Sequence, residues 1–176
     1  MMVDPELSER AGALLDLCRT RSLKIAAAES CTGGLLAATL TEIPGSSDVF
    51  ERGLVTYSNE AKQTMLGVAP TTLAKHGAVS RETAEAMAKG ALANAPVDLA
   101  VSITGIAGPG GGVPGKPVGL VHFAAASRAG LLIHRERRYG DIGRAQIRRA
   151  SVIEALAMLT DLADPERSHS AEKAHG

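Results

Sequence analysis

The chain has 176 residues, 45% of them hydrophobic and 22% charged, which suits one globular domain with a full core and argues against global disorder. Nineteen basic residues offset nineteen acidic ones, so no overall field draws in nucleic acid or an anionic membrane. Four aromatics (Phe50, Tyr57, Phe123 and Tyr139) are too few for a base-stacking platform, which disfavours single-strand nucleic-acid binding.

The opening MMVDPELSER carries no apolar run behind basic residues, and no stretch reaches about 18 apolar residues. Cys18 and Cys31 make neither a disulfide framework nor a metal-binding spacing. The expectation is a cytoplasmic protein with no membrane or nucleic-acid partner.

In chain order, Leu7, Ala11, Leu14, Leu15 and Cys18 recur at helical spacing. KIAAAES follows as a buried strand ending near Glu29, and Gly33-Gly34 opens a second helix that Pro44-Gly45 stops. GLVTY (53–57) reads as a strand and SNEAKQTML as a short helix with Gly67 as its C-cap. Ser80 caps a helix with the stripe Ala84, Met87, Ala88, Ala91 and Leu92, which ends at Asn94 and Pro96. DLAVSITG (98–105) is a buried strand that runs into the glycine-rich loop GIAGPGGGVPGK. PVGLVHFAAAS and LLIHRERRY read as a hairpin turning at Arg128-Ala129-Gly130. A last helix begins near Gly143 with Val152, Ala155, Leu156 and Leu159 on one face, and a polar, frayed tail follows. The alternation predicts an α/β fold: a single three-layer α/β/α domain over 1–163 with a mixed, mostly parallel central sheet, then the tail 164–176.

Ligands of open α/β sheets bind outside the carboxyl ends of the strands. Three loops there combine small and polar residues: Glu29 to Gly34, Tyr57 to Lys62, and Thr104 to Gly112. Parallel strands would gather them on one edge. Ser30 lies at a strand-to-helix turn where glycines let backbone approach closely, and the amides of Cys31, Thr32, Gly33 and Gly34 are expected as free donors for an anion or oxyanion. Ser30 or Thr32 as a plain N-cap is the competing reading. If Ser58 or Asn59 caps the next helix, Lys62 falls in its first turn, where the dipole opposes a cation by roughly 0.3–1 kcal/mol. A lysine made neutral that way, and further by burial, can act as general base for a serine; spacing alone favours a solvated surface lysine. Tyr57 is a candidate proton relay or stacking group, or a half-buried strand residue. Arg144 and Arg148 share a helical face, where they can grip a phosphate or pair with Asp141 or Glu154.

Other motifs fail. Gly110 to Lys116 has P-loop spacing, but Pro117 stands where a magnesium-binding Ser or Thr belongs and a strand follows, so no nucleotide triphosphatase is expected. The loop is then a flexible connection, or a backbone cradle or lid. The histidines at 76, 122, 134, 169 and 175 show no ligand spacing, so no metal is expected. No histidine lies near Cys31 to activate it, and Cys31 reads as a small buried residue.

AESCTGG (28–34), GLVTYSNEAKQTMLGV (53–68), GAVS (77–80), SITGIAGPGGG (102–112) and KPVGLVHF (116–123) together resemble the CinA C-terminal domain family, in the family's order and over nearly the whole chain. The resemblance implies a three-layer α/β/α domain and hydrolysis of nicotinamide mononucleotide to nicotinate mononucleotide and ammonia, without a cofactor. It matches the family serine to Ser30, the lysine to Lys62, the tyrosine to Tyr57 and the Thr-Gly pair to Thr104 and Gly105. Members that carry a preceding nucleotide-binding domain differ from this chain, which resembles the standalone form. The family's Gly-Asp-Arg segment is interrupted, reading Gly140-Asp141-Ile142-Gly143-Arg144.

The expected activity is therefore a Ser-Lys amide hydrolysis. Ser30, Lys62 and Tyr57 are its candidate catalytic residues. Cys31, Thr32, Gly33, Gly34, Asn59, Thr104, Gly105, Arg144 and Arg148 are the candidate binding residues. A non-catalytic nucleotide-binding or regulatory module is the rival reading. The expected partner is a small nucleotide, with homo-oligomerisation left open.

Overall fold

The computed structural model describes residues 4–166; most of the expected polar tail lies outside the described residues. Helix α1 (Pro5–Thr20) starts at Asp4, whose carboxylate accepts the amides of Glu6 and Leu7, with Pro5 in the first helical position. It buries Leu7, Ala11, Leu14, Leu15 and Cys18, the five residues picked out by spacing. Each large apolar side chain enclosed this way contributes roughly 1.5–3 kcal/mol.

Strands β1 (Ile25–Glu29), β2 (Phe50–Val55), β3 (Leu99–Gly105), β4 (Leu120–Ser127) and β5 (Leu132–Arg138) form one sheet in the order β2-β1-β3-β4-β5. β1 pairs parallel with β2 and β3, whereas β4 pairs antiparallel with β3 and β5. Only β4 therefore runs against the rest, and the sheet is mixed but mostly parallel in direction. β1 is buried at all five positions because both sheet faces are covered, which explains its apolar run from Ile25 to Ala28; the fifth buried position is Glu29.

On one face Ile25, Ala27, Val101, Ile103, Val121 and Phe123 pack against α1, α2 (Leu35–Thr41) and α6 (Arg144–Ala163). On the other, Ala26, Ala28 and Ala100 meet α3 (Asn59–Leu66), α4 (Pro70–His76) and α5 (Arg81–Ala93). Ala84 and Ala88 of α5 rest on Ala124 and Ala126 of β4, alanine against alanine, so this helix lies close to the sheet. It also lies close to α3: a Cβ on Gly90 would stand 2.0 Å from the Leu66 carbonyl oxygen.

Two expectations change. The strand placed at 53–57 begins at Phe50, which pairs with Ile25, and ends at Val55, although the Thr56 amide still donates to Glu29. Helix α4 was not expected between Gly67 and Ser80: it is seven residues long and buries only Leu73, too little to leave a periodic stripe.

Candidate active site

The carboxyl ends of β1, β2 and β3 share one edge of the sheet, and the three expected loops meet there around a cavity of about 270 Å³. After β1 the chain folds into a tight arc. The Ser30 amide donates to Ile103, Gly33 to the Ser30 carbonyl, and Leu35 to the Thr32 carbonyl. Gly33 and Gly34 take φ of +57° and +96°, a left-handed path that suits glycine.

Gly34 occupies the N-cap of α2 and has no side chain to cap it. Glu29 does so from the strand. Its carboxylate is fully buried and accepts the amides of Leu36 at 3.0 Å and Ala37 at 2.9 Å. This corrects the expectation of a run of open donors. Gly33 is used inside the arc and the first-turn amides of α2 already hold an anion, the protein's own. Of the amides expected to be free, Cys31, Thr32 and Gly34 keep no backbone partner among the described residues, and only Cys31 borders the cavity.

Ser58 is the N-cap of α3, accepting the Ala61 amide at 3.0 Å, which puts Lys62 one turn in. Lys62 is 1% exposed, so the surface reading does not hold. Its Nζ donates to Ser30 Oγ at 3.1 Å and to the Thr56 carbonyl at 2.8 Å. Burial pushes the amine below the usual lysine range, against a weaker opposing influence of Cys31. The Cys31 thiol is itself buried and pushed up to about 12, chiefly by that burial, which makes it a poor nucleophile.

Thr104 is buried at the end of β3 and donates its hydroxyl to the Ala78 carbonyl at 2.7 Å, tying the GAVS segment to the sheet. Arg144 spans the mouth, donating to the Gly108 carbonyl and to the Tyr57 hydroxyl, both at 2.9 Å. Tyr57 stands on the rim, 61% exposed.

Ser30, Cys31, Tyr57, Asn59, Lys62, Thr104, Gly105 and Arg144 thus line one cavity. Thr32, Gly33, Gly34 and Arg148 do not. Arg148 lies behind the arc and donates to the Thr32 carbonyl at 2.7 Å, so the two arginines share a helix but reach different places. Neither pairs with Asp141 or Glu154; Glu154 holds Arg135 and Arg137.

Two features escaped the sequence reading. Glu29 stands in that reading as a strand end and the first residue of a candidate loop, with no role of its own, and its partners lie seven and eight residues ahead. His122 and His134, with no helical spacing between them, meet across the hairpin with ring nitrogens 3.0 Å apart. Among the described residues no group of three or more His, Cys, Asp or Glu could hold a metal ion, and no helix is long and apolar enough to cross a membrane.

The CinA C-terminal domain model matches residues 7–163. A CinA-like protein of Chloroherpeton thalassium is 58% identical over 128 residues, covering 73% of this chain and 30% of that protein. A CinA-like protein of Synechococcus is 51% identical over 150 residues, covering 85% and 36%. The chain spans about a third of the length of the curated relatives it matches. The crystal structure of the competence/damage inducible protein CihA from Agrobacterium tumefaciens is 52% identical with a TM-score of 0.90, covering 92% of this chain and 98% of that one. A CinA superfamily protein from Escherichia coli superposes with a TM-score of 0.84 at 31% identity, covering 92% and 94%. With sequence and fold agreeing along nearly all the described residues, the chain belongs to the CinA C-terminal domain family.

Proposed function

We propose that the chain is an amidohydrolase that removes the carboxamide nitrogen of nicotinamide mononucleotide by a Ser-Lys mechanism. One observation carries the reading: a buried lysine, held below its ordinary pKa, touches a serine hydroxyl at 3.1 Å beside a cavity. That pairing gives a serine its base without histidine.

Ser30 Oγ attacks the carboxamide carbon while neutral Lys62 takes the hydroxyl proton. Charge gathers on the carboxamide oxygen, and the Cys31 amide at the cavity wall is a donor for it. The C–N bond then breaks, and Lys62 returns its proton to the departing nitrogen, which leaves as ammonia. Water attacks the resulting ester, gives its proton to Lys62, and the carboxylic acid leaves as the proton returns to Ser30. The Thr56 carbonyl keeps Lys62 pointed at Ser30 throughout.

The substrate class rests on the motif resemblance and on two compatible features. The cavity suits a small nucleotide, and Arg144 sits at its mouth with no carboxylate partner among the described residues, beside the glycine-rich backbone at Gly108 to Gly111. A 5′-phosphate would give that guanidinium its anion.

The test is ammonia release from nicotinamide mononucleotide, nicotinamide riboside and nicotinamide by the wild type and by Ser30→Ala. The nucleotide should be preferred, and Ser30→Ala should lose at least ~10³-fold in turnover. A Ser30→Ala protein with near-normal turnover rejects the nucleophile. Wild-type protein that binds the nucleotide but releases no ammonia supports instead a non-catalytic nucleotide-binding module.

A further inference from the structure

We propose that Glu29 is a positioning residue that sets the contact between Ser30 and Lys62; the inference rests on the Ser-Lys reading above. Glu29 is where the chain leaves β1, and its carboxylate grips the amides of Leu36 and Ala37, where the chain enters α2. One side chain thus closes both ends of the six-residue arc 30–35 that carries the nucleophile.

The partner in the contact is anchored elsewhere. Lys62 belongs to α3, on the opposite face of the sheet from α2, and is fixed by the Thr56 carbonyl. The 3.1 Å separation is therefore a meeting of two pieces tied through backbone at β1, where the Thr56 amide donates to the Glu29 carbonyl, and the Ser30 amide is held by Ile103; what the Glu29 side chain adds is the lie of the arc beyond Ser30. A second grip on the arc comes from Arg148, through the Thr32 carbonyl.

The form of the Glu29 cap is unusual in cost. A fully buried carboxylate without an ion-pair partner among the described residues is expensive unless its oxygens are satisfied. Here both oxygens are engaged, each by a charge-assisted bond aligned with the helix dipole. An ordinary N-cap would come from position 34, but that residue is a glycine in the left-handed region. Capping from the strand leaves position 34 free to turn the arc, and it makes the arc's shape depend on the length and charge of residue 29.

Glutamine at 29 has the right length, but its amide nitrogen would face a backbone N–H, donor against donor. Aspartate keeps the charge but is one methylene short, so reaching both amides requires the first turn of α2 to shift. Either change should move Ser30 relative to Lys62 while leaving Arg144 and Tyr57, on other elements, in place. A displacement near 1 Å at the reacting atoms costs on the order of 10²-fold in rate.

The experiment compares wild type, Glu29→Gln and Glu29→Asp in two arms. In the kinetic arm, kcat for the nucleotide should fall about 10²-fold with KM within about threefold, since Arg144 and Tyr57 at the mouth stay in place while the arc residues Ser30 and Cys31 act on the reacting carboxamide. In the structural arm, crystal structures of the three proteins report the Ser30 Oγ to Lys62 Nζ separation, which should open beyond hydrogen-bond distance in both variants. If the wild type releases no ammonia, the amidase reading fails and the structural arm alone decides the role of Glu29. If Glu29→Gln does not fold, Glu29→Asp decides. A folded variant that keeps the Ser30–Lys62 contact, or works at the wild-type rate, overturns the proposal.

Discussion

Lys62 buries an amine at the wall of the cavity, and on the Ser-Lys reading that placement has opposite consequences for activity and for stability. The unfolded chain holds this lysine protonated up to about pH 10.4, whereas burial in the folded protein lowers its affinity for the proton. The sign follows: as pH falls through the ordinary lysine range, the unfolded state gains a proton that the folded state resists, and stability drops. Lys62→Met should therefore abolish ammonia release, yet its stability relative to wild type should improve as pH is lowered from about 10 towards 7, measured by urea denaturation at both values. A relative stability that does not move with pH would mean the amine is charged in the fold. By the same ionisation, kcat should rise with pH through a value below about 10.4, and Lys62→Arg, which cannot give up a proton, should be nearly inactive. At this scale the sequence carried a good deal: Ser30 and Lys62 were legible as types in suggestive places. Their contact was not, because it joins residues 32 apart across two layers, and spacing says nothing about burial at Lys62. Glu29 was illegible for a related reason, since its partners are seven and eight residues ahead on a helix that first has to turn back over it.

Among the elements, α3 carries Lys62 and α5 sets how near α3 can come. Gly90 faces the last carbonyl of α3 at a distance that admits no Cβ, since the added atom would lie 2.0 Å from the Leu66 oxygen and 2.8 Å from its carbon. Backbone cannot yield there as a flexible side chain could. Gly90→Ala, which by helix propensity alone should stabilise α5, is instead expected to destabilise the protein by about 1–3 kcal/mol. It should also lower kcat, because α3 has to slide and takes Lys62 with it. Denaturation midpoints and turnover on the same preparations check both halves. Helix α5 itself was legible: Ser80 caps it through the Thr83 amide, and four of its five expected stripe residues are buried, with Leu92 packed partly against them. Helix α4 was illegible, and the bounds of β2 shifted, because an edge strand with charged and glycine positions has weak periodicity of its own and takes its register from Ile25 to Glu29.

For the molecule as a whole, the hairpin stores a sensitivity to acid. His122 and His134 share a contact that only one proton can occupy, and burial lowers the pKa of each. The charges around them are mixed: Glu136, Arg138 and Lys116 near His122, and Arg81, Glu82 and Glu85 from the start of α5. Because the folded values are depressed, stability is fully present above the ordinary imidazole range and is lost as pH drops through about 6.5, where the unfolded chain takes up protons. The melting temperature should thus fall between pH 7.5 and 5.5, and His122→Leu should flatten that fall; an unchanged slope would place the acid sensitivity elsewhere. The strand order that brings these histidines together also divides the molecule in two. Since β4 alone is reversed, the Arg128-Ala129-Gly130 turn emerges at the rim away from Ser30, beside Asp98, Leu23 and Leu162 at a cleft of about 520 Å³. That rim is a handle for the engineer. Sequence inserted between Ala129 and Gly130 would leave the sheet on the side opposite the cavity lined by Ser30 and Lys62, so a reporter or surface tether could be carried there without passing near it.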